Sequence, residues 1–204
     1  NEYDINGNLV KQMQKVAGNV YDIKRYTYDF RQRMLSEAVL VKTDDILAEY
    51  IAGAAPDSEY GNMLACVTSF EYYSTGKLKS RKDAAGRSTV FEYDYDGRIK
   101  KKTDPMQNST TYTWDIQGNL IQEKNARGFT VSYDYDSMNR LIRKISPAAD
   151  GSNATIRYIY DVMGNLIKQI LPNDYVRELD TPELVNTMPG VSYAYDCMNR
   201  CTAS

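Results

Sequence analysis

The stretch FEYDYDGRI, from Phe91 to Ile99, decides the fold of this chain. Its two aromatic residues, Phe91 and Tyr93, are two positions apart, so they lie on the same face of an extended strand. Asp94 favours a turn, because its short carboxylate accepts hydrogen bonds from nearby backbone N–H groups. Gly97 tolerates the positive φ that closes a three-residue hairpin loop. These nine residues therefore predict a tight β-hairpin in which Tyr93 lies opposite Ile99.

The same pattern recurs along the whole chain. It reads aromatic, any residue, aromatic, Asp, two variable residues, Gly or Asn, Arg or Asn, aliphatic. The copies lie near residues 3–9, 26–34, 70–78, 91–99, 112–120, 133–141, 158–166 and 193–201. The central copies are 21 residues apart, at Tyr72, Tyr93, Trp114 and Tyr135. The step of 44 from Tyr28 to Tyr72 is close to two units and predicts a degenerate copy between residues 35 and 69, with Tyr60–Asn62 as its remnant.

Three positions define the structure of each copy. The second aromatic position holds Tyr28, Tyr72, Tyr93, Trp114, Tyr135, Tyr160 and Tyr195, and the turn position holds Asp94, Asp115, Asp136 and Asp161. The position predicted to have positive φ holds Gly76, Gly97, Gly118, Asn139 and Gly164. Gln32 does not fit this position, which predicts a different turn in the second copy. Counting outward from the loop also places Asp94 opposite Arg98 and Asp136 opposite Arg140; in three copies an Asn replaces the Arg and predicts a polar pair.

A second turn signal follows the first by ten residues. It reads DAAGR from Asp83, DPMQN from Asp104 and NARGF from Asn125. Each unit is therefore predicted to be a strand, a tight turn, a second strand and a wider turn. A lone hairpin is marginally stable in water, so successive hairpins must pair side by side. The sequence predicts an all-β fold of tandem antiparallel hairpins in one strongly curved sheet.

Two insertions, at residues 35–69 and 173–190, interrupt the array. The segment TDDILAEYIAG, Thr43 to Gly53, has a candidate N-cap and early acidic residues, which predict a short helix. Thr181, Pro182 and Glu183 predict a further turn of helix in the second insertion. Insertions within a repeat usually emerge as loops on one face.

The repeated pattern, with its DPxG-like turns, resembles the YD repeat of the Rhs family over nearly the whole chain. That family includes bacterial Rhs and wall-associated polymorphic toxins, the shell components of Tc insecticidal toxins, and the animal teneurins. The resemblance implies a sheet of hairpins that spirals into a hollow shell. In the toxins this shell encloses a C-terminal toxic or effector segment, and in teneurins it is part of an adhesion ectodomain. Because the chain starts and stops inside repeat units, we expect a repeat array truncated at both ends.

Composition excludes several function classes. The chain has no His, which removes Ser-His and Cys-His catalytic pairs and His-based metal sites. Cys197 and Cys201 lie four residues apart without further ligands, which is a poor metal site. The net charge of −2 does not favour nucleic acid, and no apolar run is long enough to span a bilayer. We therefore predict no catalytic residue, cofactor or metal, and a chain that is not an enzyme.

The resemblance leads to a functional prediction of a non-catalytic shell segment that encloses or displays a toxin or effector part of the same polypeptide. Its partners would be the remaining repeats and the enclosed C-terminal segment, and its location the secreted or cell-surface space of a bacterium. The alternative is an extracellular module that binds carbohydrate or a target-cell surface through the inserted loops, with Trp114 as a candidate ligand contact. Met138, Met163 and Met198 are predicted to pack over their turns.

Overall fold

Short strands joined by tight turns make up most of the protein. The computed structural model describes residues 1–17, 20–42, 55–56, 63–149, 151–196, 198 and 200–203. The chain divides into two units, Asn1–Asn108 and Ser109–Ser204. Within the described ranges, no helix has the length and hydropathy needed to cross a membrane.

The first unit is an antiparallel sheet whose strands follow sequence order, apart from β5, which pairs with β6 beside the main order. Its described strands are β1 (Glu2–Tyr3), β2 (Leu9–Ala17), β3 (Val20–Tyr28), β4 (Met34–Lys42), β5 (Ala55–Pro56), β6 (Met63–Tyr72), β7 (Leu78–Lys82), β8 (Ser88–Tyr93) and β9 (Ile99–Thr103).

The second unit is built in the same way from β10 to β16, and β17 and β18 form a separate two-stranded sheet. The strands are β10 (Ser109–Trp114), β11 (Leu120–Lys124), β12 (Thr130–Tyr135), β13 (Leu141–Pro147), β14 (Asn153–Tyr160), β15 (Leu166–Ile170), β16 (Val191–Ser192), β17 (Ala194–Tyr195) and β18 (Cys201–Ala203). Two 3₁₀-helices, Arg177–Leu179 and Val185–Thr187, lie between β15 and β16. The prediction of an all-β chain of tandem antiparallel hairpins is confirmed.

The predicted hairpin register is confirmed. Tyr93 pairs with Ile99, with a shift of register between Glu92 and Tyr93. The backbone N–H of Asp94 donates to the carbonyl of Arg98 at 2.9 Å, and the N–H of Gly97 donates back to the Asp94 carbonyl at 3.0 Å. This is a three-residue loop closed by a residue with positive φ.

Positive φ occurs at the predicted Gly and Asn residues and also at a glutamine. Gly97 has φ of 82° and Asn139 of 61°. Gln32 has φ of 61°, so the prediction of a different turn in the second copy is wrong. Its loop has the usual hydrogen bonds, from Asp29 N–H to the Arg33 carbonyl at 2.9 Å and from Gln32 N–H to the Asp29 carbonyl at 2.9 Å. The hairpin therefore imposes a left-handed residue even where the sequence does not supply Gly or Asn.

The turns between copies are not wider than the turns inside them, so that prediction is wrong. The N–H of Asp83 donates to the Arg87 carbonyl at 3.0 Å, and the N–H of Gly86 donates to the Asp83 carbonyl at 2.9 Å. The Ala148–Ser152 turn closes with the same pair of bonds, at 3.2 Å from Gly151 and 2.8 Å from Ala148. Both ends of each of these hairpins thus use one type of turn.

The strands that flank the 44-residue step are neighbours in the sheet. Strand β4 pairs directly with β6, from Ser36 opposite Ser69 to Lys42 opposite Met63. No described strand lies between β4 and β6, and the short strand β5 (Ala55–Pro56) pairs with β6. Most of the stretch in which the degenerate copy was predicted lies outside the described residues, so that copy stays a prediction. The predicted helix at Thr43 to Gly53 and the suggested remnant at Tyr60–Asn62 lie outside the described residues.

The insertion after β15 folds over strands of the second unit. Ile170, Val185 and Met188 are buried together, and Ile159, Tyr175 and Leu179 pack against them. Thr181 opens a hydrogen-bonded turn, as predicted, since its carbonyl accepts the N–H of Val185 at 2.9 Å. The two 3₁₀-helices give the insertion one short helical segment on either side of Thr181. A smaller cluster in the first unit joins Ile23 and Leu40.

Candidate functional site

A carboxylate at the turn position organises most of the hairpin loops; in the copy at residues 70–78 Tyr73 takes this position, and only the backbone bonds close the loop. In Asp136, Oδ1 accepts the backbone N–H groups of Met138 and Arg140, both at 2.9 Å, and Oδ2 accepts Nε of Arg140 at 2.7 Å. This local arrangement explains why the position needs a short carboxylate and why the residue four positions later carries an N–H group. Six further aspartates accept hydrogen bonds in the same way, from the backbone N–H and from the side chain of the residue four positions later. They are Asp4, Asp29, Asp94, Asp115, Asp161 and Asp196.

These hydrogen bonds favour the ionised carboxylates. Burial raises the pKa of Asp136, but hydrogen bonds from the backbone and side chain of Arg140 lower it by more, so the pKa lies below its ordinary value. At Asp161 the side chain of Asn165 is the largest cause of the lowered pKa. The pKa values of Asp4, Asp29, Asp83, Asp94, Asp104, Asp115 and Asp196 are also lowered.

The turns between copies use the same arrangement. Asp83 accepts the backbone N–H and Nε of Arg87, at 2.9 and 2.8 Å. Asn125 accepts the backbone N–H groups of Arg127 and Phe129, both at 3.0 Å. An amide oxygen is therefore sufficient for the backbone part of the arrangement.

Tyrosine hydroxyl groups connect six of the copies to the copy before them. The hydroxyl of Tyr135 donates to the backbone carbonyl of Leu120 at 3.0 Å. Leu120 ends the motif of the preceding copy, so this bond crosses from one hairpin to the next. The same bond joins Tyr28 to Leu9, Tyr72 to Met34, Tyr93 to Leu78, Tyr160 to Leu141 and Tyr195 to Leu166, at 2.8 to 3.1 Å.

The acceptor carbonyls lie where pairing between successive hairpins has stopped. The β11–β12 ladder runs from Lys124 opposite Thr130 to Gln122 opposite Ser132, two residues short of Leu120. The Tyr135 hydroxyl therefore satisfies a backbone carbonyl beyond the end of the ladder. Burial raises the pKa of Tyr135, which keeps the hydroxyl protonated and able to donate. This contact was missed from the sequence, although the signal was present: the second aromatic position holds Tyr or Trp and never Phe.

Arginine residues at the turns add a second link between copies. Besides its bond to Asp136, Arg140 places its guanidinium carbon 4.9 Å from the ring centroid of Tyr160 and donates from Nη1 to the Asp161 carbonyl at 3.0 Å. Arg33 stacks over Tyr72 at 4.7 Å and donates to the next backbone carbonyl at 3.3 Å. Each of these arginines therefore binds its own turn and holds the tyrosine of the next copy.

Copies that carry Asn in place of Arg form the predicted polar pairs. Nδ2 of Asn119 donates to Oδ2 of Asp115 at 2.9 Å and also to Oδ1 of Asn139, in the following copy, at 2.9 Å. Asn8 and Asn165 make the corresponding bonds to Asp4 and Asp161, both at 2.9 Å.

The side chains that alternate with the rings also form pairs. Asp134 binds Nε of Arg143 at 2.6 Å, and Glu92 lies 3.4 Å from Nζ of Lys101. These residues alternate with the aromatic positions along the strand, so they lie on the opposite face. The carboxylates beside the aromatic motif therefore have ordinary ionic partners.

The remaining predicted positions have mixed outcomes. Trp114 is half-buried in β10 and pairs with Leu120; its role as a ligand contact stays a prediction. Met138, Met163 and Met198 are exposed, at 67%, 72% and 71%, so the prediction that they pack over their turns is wrong. Their loop position directs the side chain outward. Cys197 lies outside the described residues, and in the described part of the chain no cluster of Cys, Asp or Glu has a metal-binding arrangement.

The second insertion holds a charged cluster that sequence reasoning missed. Asp180 accepts Nε of Arg157 at 2.8 Å, Nη1 of Arg143 at 3.2 Å and the Tyr175 hydroxyl at 2.8 Å. Burial opposes ionisation of Asp180, but hydrogen bonds from Arg157 and Tyr175 hold its pKa below the ordinary value. Arg143 lies directly opposite Arg157 in adjacent strands. Two like charges in that position are unfavourable and require a counter-charge, which the insertion supplies.

Comparisons with known proteins agree with the repeat geometry. Residues 72–105, 93–130 and 117–150 each match the family model of the RHS repeat. The stretch from residue 72 to residue 150 therefore consists of RHS repeats. No curated protein sequence matches the chain.

Solved structures with the same fold include Tc toxin proteins. The chain is similar to the crystal structure of TcdB2-TccC3-Cdc42, with 23% identity and a TM-score of 0.63 over 88% of this chain and 9% of that one. It is also similar to a Tc holotoxin pore of Photorhabdus luminescens, with 21% identity and a TM-score of 0.65 over 96% of this chain and 9% of that one. The chain thus spans about a tenth of the length of these structures, and the likeness shows a shared fold.

Proposed function

We propose that this RHS-repeat array is a non-catalytic segment of a shell wall, and that the shell encloses or displays a toxin or effector part of the same polypeptide. The observation that carries the proposal is the bond from each second-position tyrosine to a main-chain carbonyl of the preceding copy, as in Tyr135 to Leu120. A link of this kind joins neighbouring copies without using a reactive group, so it extends a wall by repetition.

The motif side chains support the structural role. The turn carboxylates bind their own loops, and the arginines bind those carboxylates and the rings of the next copy. Each conspicuous motif group therefore has a partner that stabilises the array. The Tc toxin structures of the same fold agree with a wall, and the partners would be further repeats and the enclosed segment. By the same likeness we propose a secreted bacterial protein.

Limited proteolysis of the complete polypeptide that contains this array tests the proposal. The enclosed segment should be cut much more slowly in the native polypeptide than as an isolated fragment. A variant with Tyr72, Tyr135 and Tyr160 changed to Phe should lose part of that protection, whereas Tyr95→Phe, at a fully exposed ring, should keep it. Equal rates for the native polypeptide and the fragment would refute enclosure.

A further inference from the structure

The motif loops of the second unit carry apolar side chains at their tips. Three successive loops, 115–119, 136–140 and 161–165, place Ile-Gln, Ser-Met and Val-Met at their two variable positions. Tight turns usually hold polar residues, because their side chains meet water. Four large apolar side chains are exposed here instead: Ile116, Met138, Val162 and Met163. A single exposed apolar residue needs no explanation, but recurrence in the same loop of successive copies marks an interaction surface.

These three loops form one row. The strands of the unit are antiparallel and follow sequence order, so alternate turns lie at opposite ends of the sheet and the motif loops share one end. Asn119 donates to Oδ1 of Asn139 at 2.9 Å, and Arg140 donates to the carbonyl of Asp161 at 3.0 Å, so neighbouring loops are linked directly. Two strands separate each loop from the next, which gives a spacing of about 10 Å. The apolar side chains are therefore regularly spaced projections along this end, which we call the motif end.

The opposite end of the same sheet has a different surface, which we call the junction end. It holds the turns between copies, 125–129 and 148–152, which carry the small residues Ala126 and Ala149. Residues of both turns line a cavity of about 500 Å³, whose apolar members include Phe129, Val131 and Pro147. The junction end therefore offers an apolar recess where the motif end offers apolar projections.

The two ends also agree in spacing and differ in charge. Both are formed by the same strands, so the loops at one end and the turns at the other repeat at the same interval. The three motif loops hold three aspartates and one arginine: Asp115, Asp136, Asp161 and Arg140. At the junction end, the cations outnumber the carboxylates: Lys124, Arg127 and Lys144 against Glu123 and Asp150. The ends therefore carry net charges of opposite sign, which favours contact between them.

We propose that the motif end of one copy of the chain docks on the junction end of a second copy. A second copy is the partner that brings the same interval and the opposite charge to the row of loops. The flexible side chains of Met138 and Met163 suit an irregular recess, and their burial removes apolar surface from water. Because the two surfaces differ, each docked copy keeps one free motif end or one free junction end. Association therefore continues beyond a dimer.

Sedimentation velocity of the 204-residue chain over a range of concentrations tests the docking. The weight-average mass should rise steadily with concentration and pass that of a dimer. A chain that stays monomeric, or whose association stops at a dimer, would overturn the proposal. Phosphatidylcholine vesicles are the competing partner: a monomeric chain that sediments with them would assign the row to a lipid surface instead.

Uncharged substitutions locate the two surfaces. The double variant Val162→Ser with Met163→Ser removes apolar surface from the motif end, and Phe129→Ser removes it from the junction end. Each should weaken association about tenfold or more, since a buried large apolar side chain contributes about 1.5 to 3 kcal/mol. Ala149→Gln adds bulk at an exposed turn position of the junction end and should act in the same direction. Native-like thermal midpoints show that the variants are folded.

Leu184→Ser is the matched control, because Leu184 is an exposed apolar residue of the insertion. The insertion contacts Arg143, whereas the neighbouring Lys144 lines the cavity and points to the opposite face of the sheet. This variant should associate like the native chain. An equal loss in Leu184→Ser, or native association in the motif-end and both junction-end variants, would contradict the assignment.

A mixture of the motif-end double variant with Phe129→Ser gives the sharpest result. The first keeps an intact junction end and the second an intact motif end, so one of each should combine. Neither has a further intact surface, so the mixture should form dimers and nothing larger. A mixture that remains as monomeric as its components would refute docking of one end on the other.

Discussion

The hydroxyl of Tyr135 donates a 3.0 Å hydrogen bond to the backbone carbonyl of Leu120, fifteen residues earlier in the chain. The donor belongs to one copy of the repeat and the acceptor to the copy before it. The bond replaces the ladder pairing that has stopped at Gln122 and Ser132. Five further tyrosines make the same contact, so the bond belongs to the repeat itself and is independent of local sequence.

Removal of this hydroxyl should weaken the contact between copies. Tyr135→Phe keeps the ring and deletes the donor, so it should lower the free energy of unfolding by about 1 kcal/mol. Urea denaturation measures the change. Tyr95→Phe is the control, because that side chain is fully exposed. Equal stability of the two variants would mean that the hydroxyl of Tyr135 contributes nothing.

The turn carboxylate should tolerate Asn better than Ala. Asp136→Asn keeps an oxygen for the backbone N–H groups of Met138 and Arg140, as Asn125 does in another turn. Asp136→Ala loses all three bonds, and it should lower the free energy of unfolding by about 1 to 2 kcal/mol, against about half that for Asn. Chemical denaturation of both variants makes the comparison. An Asn variant as unstable as the Ala variant would show that the ionic bond to Arg140 dominates.

Stability should fall in acid. The folded chain holds the pKa values of its turn aspartates below the ordinary value, so the unfolded chain takes up protons first as pH decreases. The stabilisation is complete above the unfolded pKa of about 4 and is lost as pH falls through the lower folded values. Thermal unfolding between pH 7 and pH 2 should show a decreasing midpoint below about pH 4. The decrease should be smaller in Asp136→Asn, and an unchanged midpoint down to pH 2 would contradict the ionised turns.

Residues with positive φ offer a pair of opposite substitutions. Gln107 has φ of 65° in the turn before β10, and Gly164 has φ of 90° in open space. Gln107→Gly should raise the free energy of unfolding by about 0.5 to 1 kcal/mol, and Gly164→Ala should lower it by about 1 kcal/mol, because side chains are strained in this region. Urea midpoints measure both. A stabilised Gly164→Ala variant would be inconsistent with the left-handed turn.

The Asp180 carboxylate should stabilise the insertion. Its side chain is 9% exposed, and Asp180→Ala would leave Arg143 and Arg157 facing each other without their shared counter-charge. We expect a loss of about 2 kcal/mol. Glu92→Ala removes an exposed ion pair with Lys101 and should cost less than about 0.5 kcal/mol. Thermal denaturation compares the two variants, and equal losses would show that the cluster around Asp180 adds nothing beyond a surface pair.

Much of the hairpin could be predicted because its determinants are local. The offset from Asp94 to Gly97 fixes the loop, and the loop fixes Tyr93 opposite Ile99. The turn at Gln32 was predicted wrongly because the preference of Gly and Asn for positive φ is weaker than the loop geometry that Asp29 and the paired strands impose. The prediction of a wider turn between copies was wrong for a similar reason. Asp83 and Gly86 have the same spacing as Asp94 and Gly97, and this spacing determines the type of turn.

Contacts between distant residues were less accessible from sequence. The Tyr135 bond depends on where the ladder between hairpins stops, which periodicity does not reveal. The charge of Asp180 meets Arg143 and Arg157 only after the insertion folds back over β13 and β14. Arg143 and Arg157 face each other in adjacent strands, which calls for a nearby counter-charge. The sequence alone does not show this pairing, because it depends on the register between two hairpins.

The acceptor of each tyrosine bond is a main-chain atom, and this affects how such a chain can change over generations. Leu9, Met34 and Leu78 serve equally well, because every residue presents the same carbonyl. The tyrosine of one copy can therefore form this bond whatever side chain the preceding copy carries at the acceptor residue. Duplication, deletion or exchange of whole units by recombination would leave these tyrosine bonds intact, so this part of each junction does not demand simultaneous mutations when the length of the array changes.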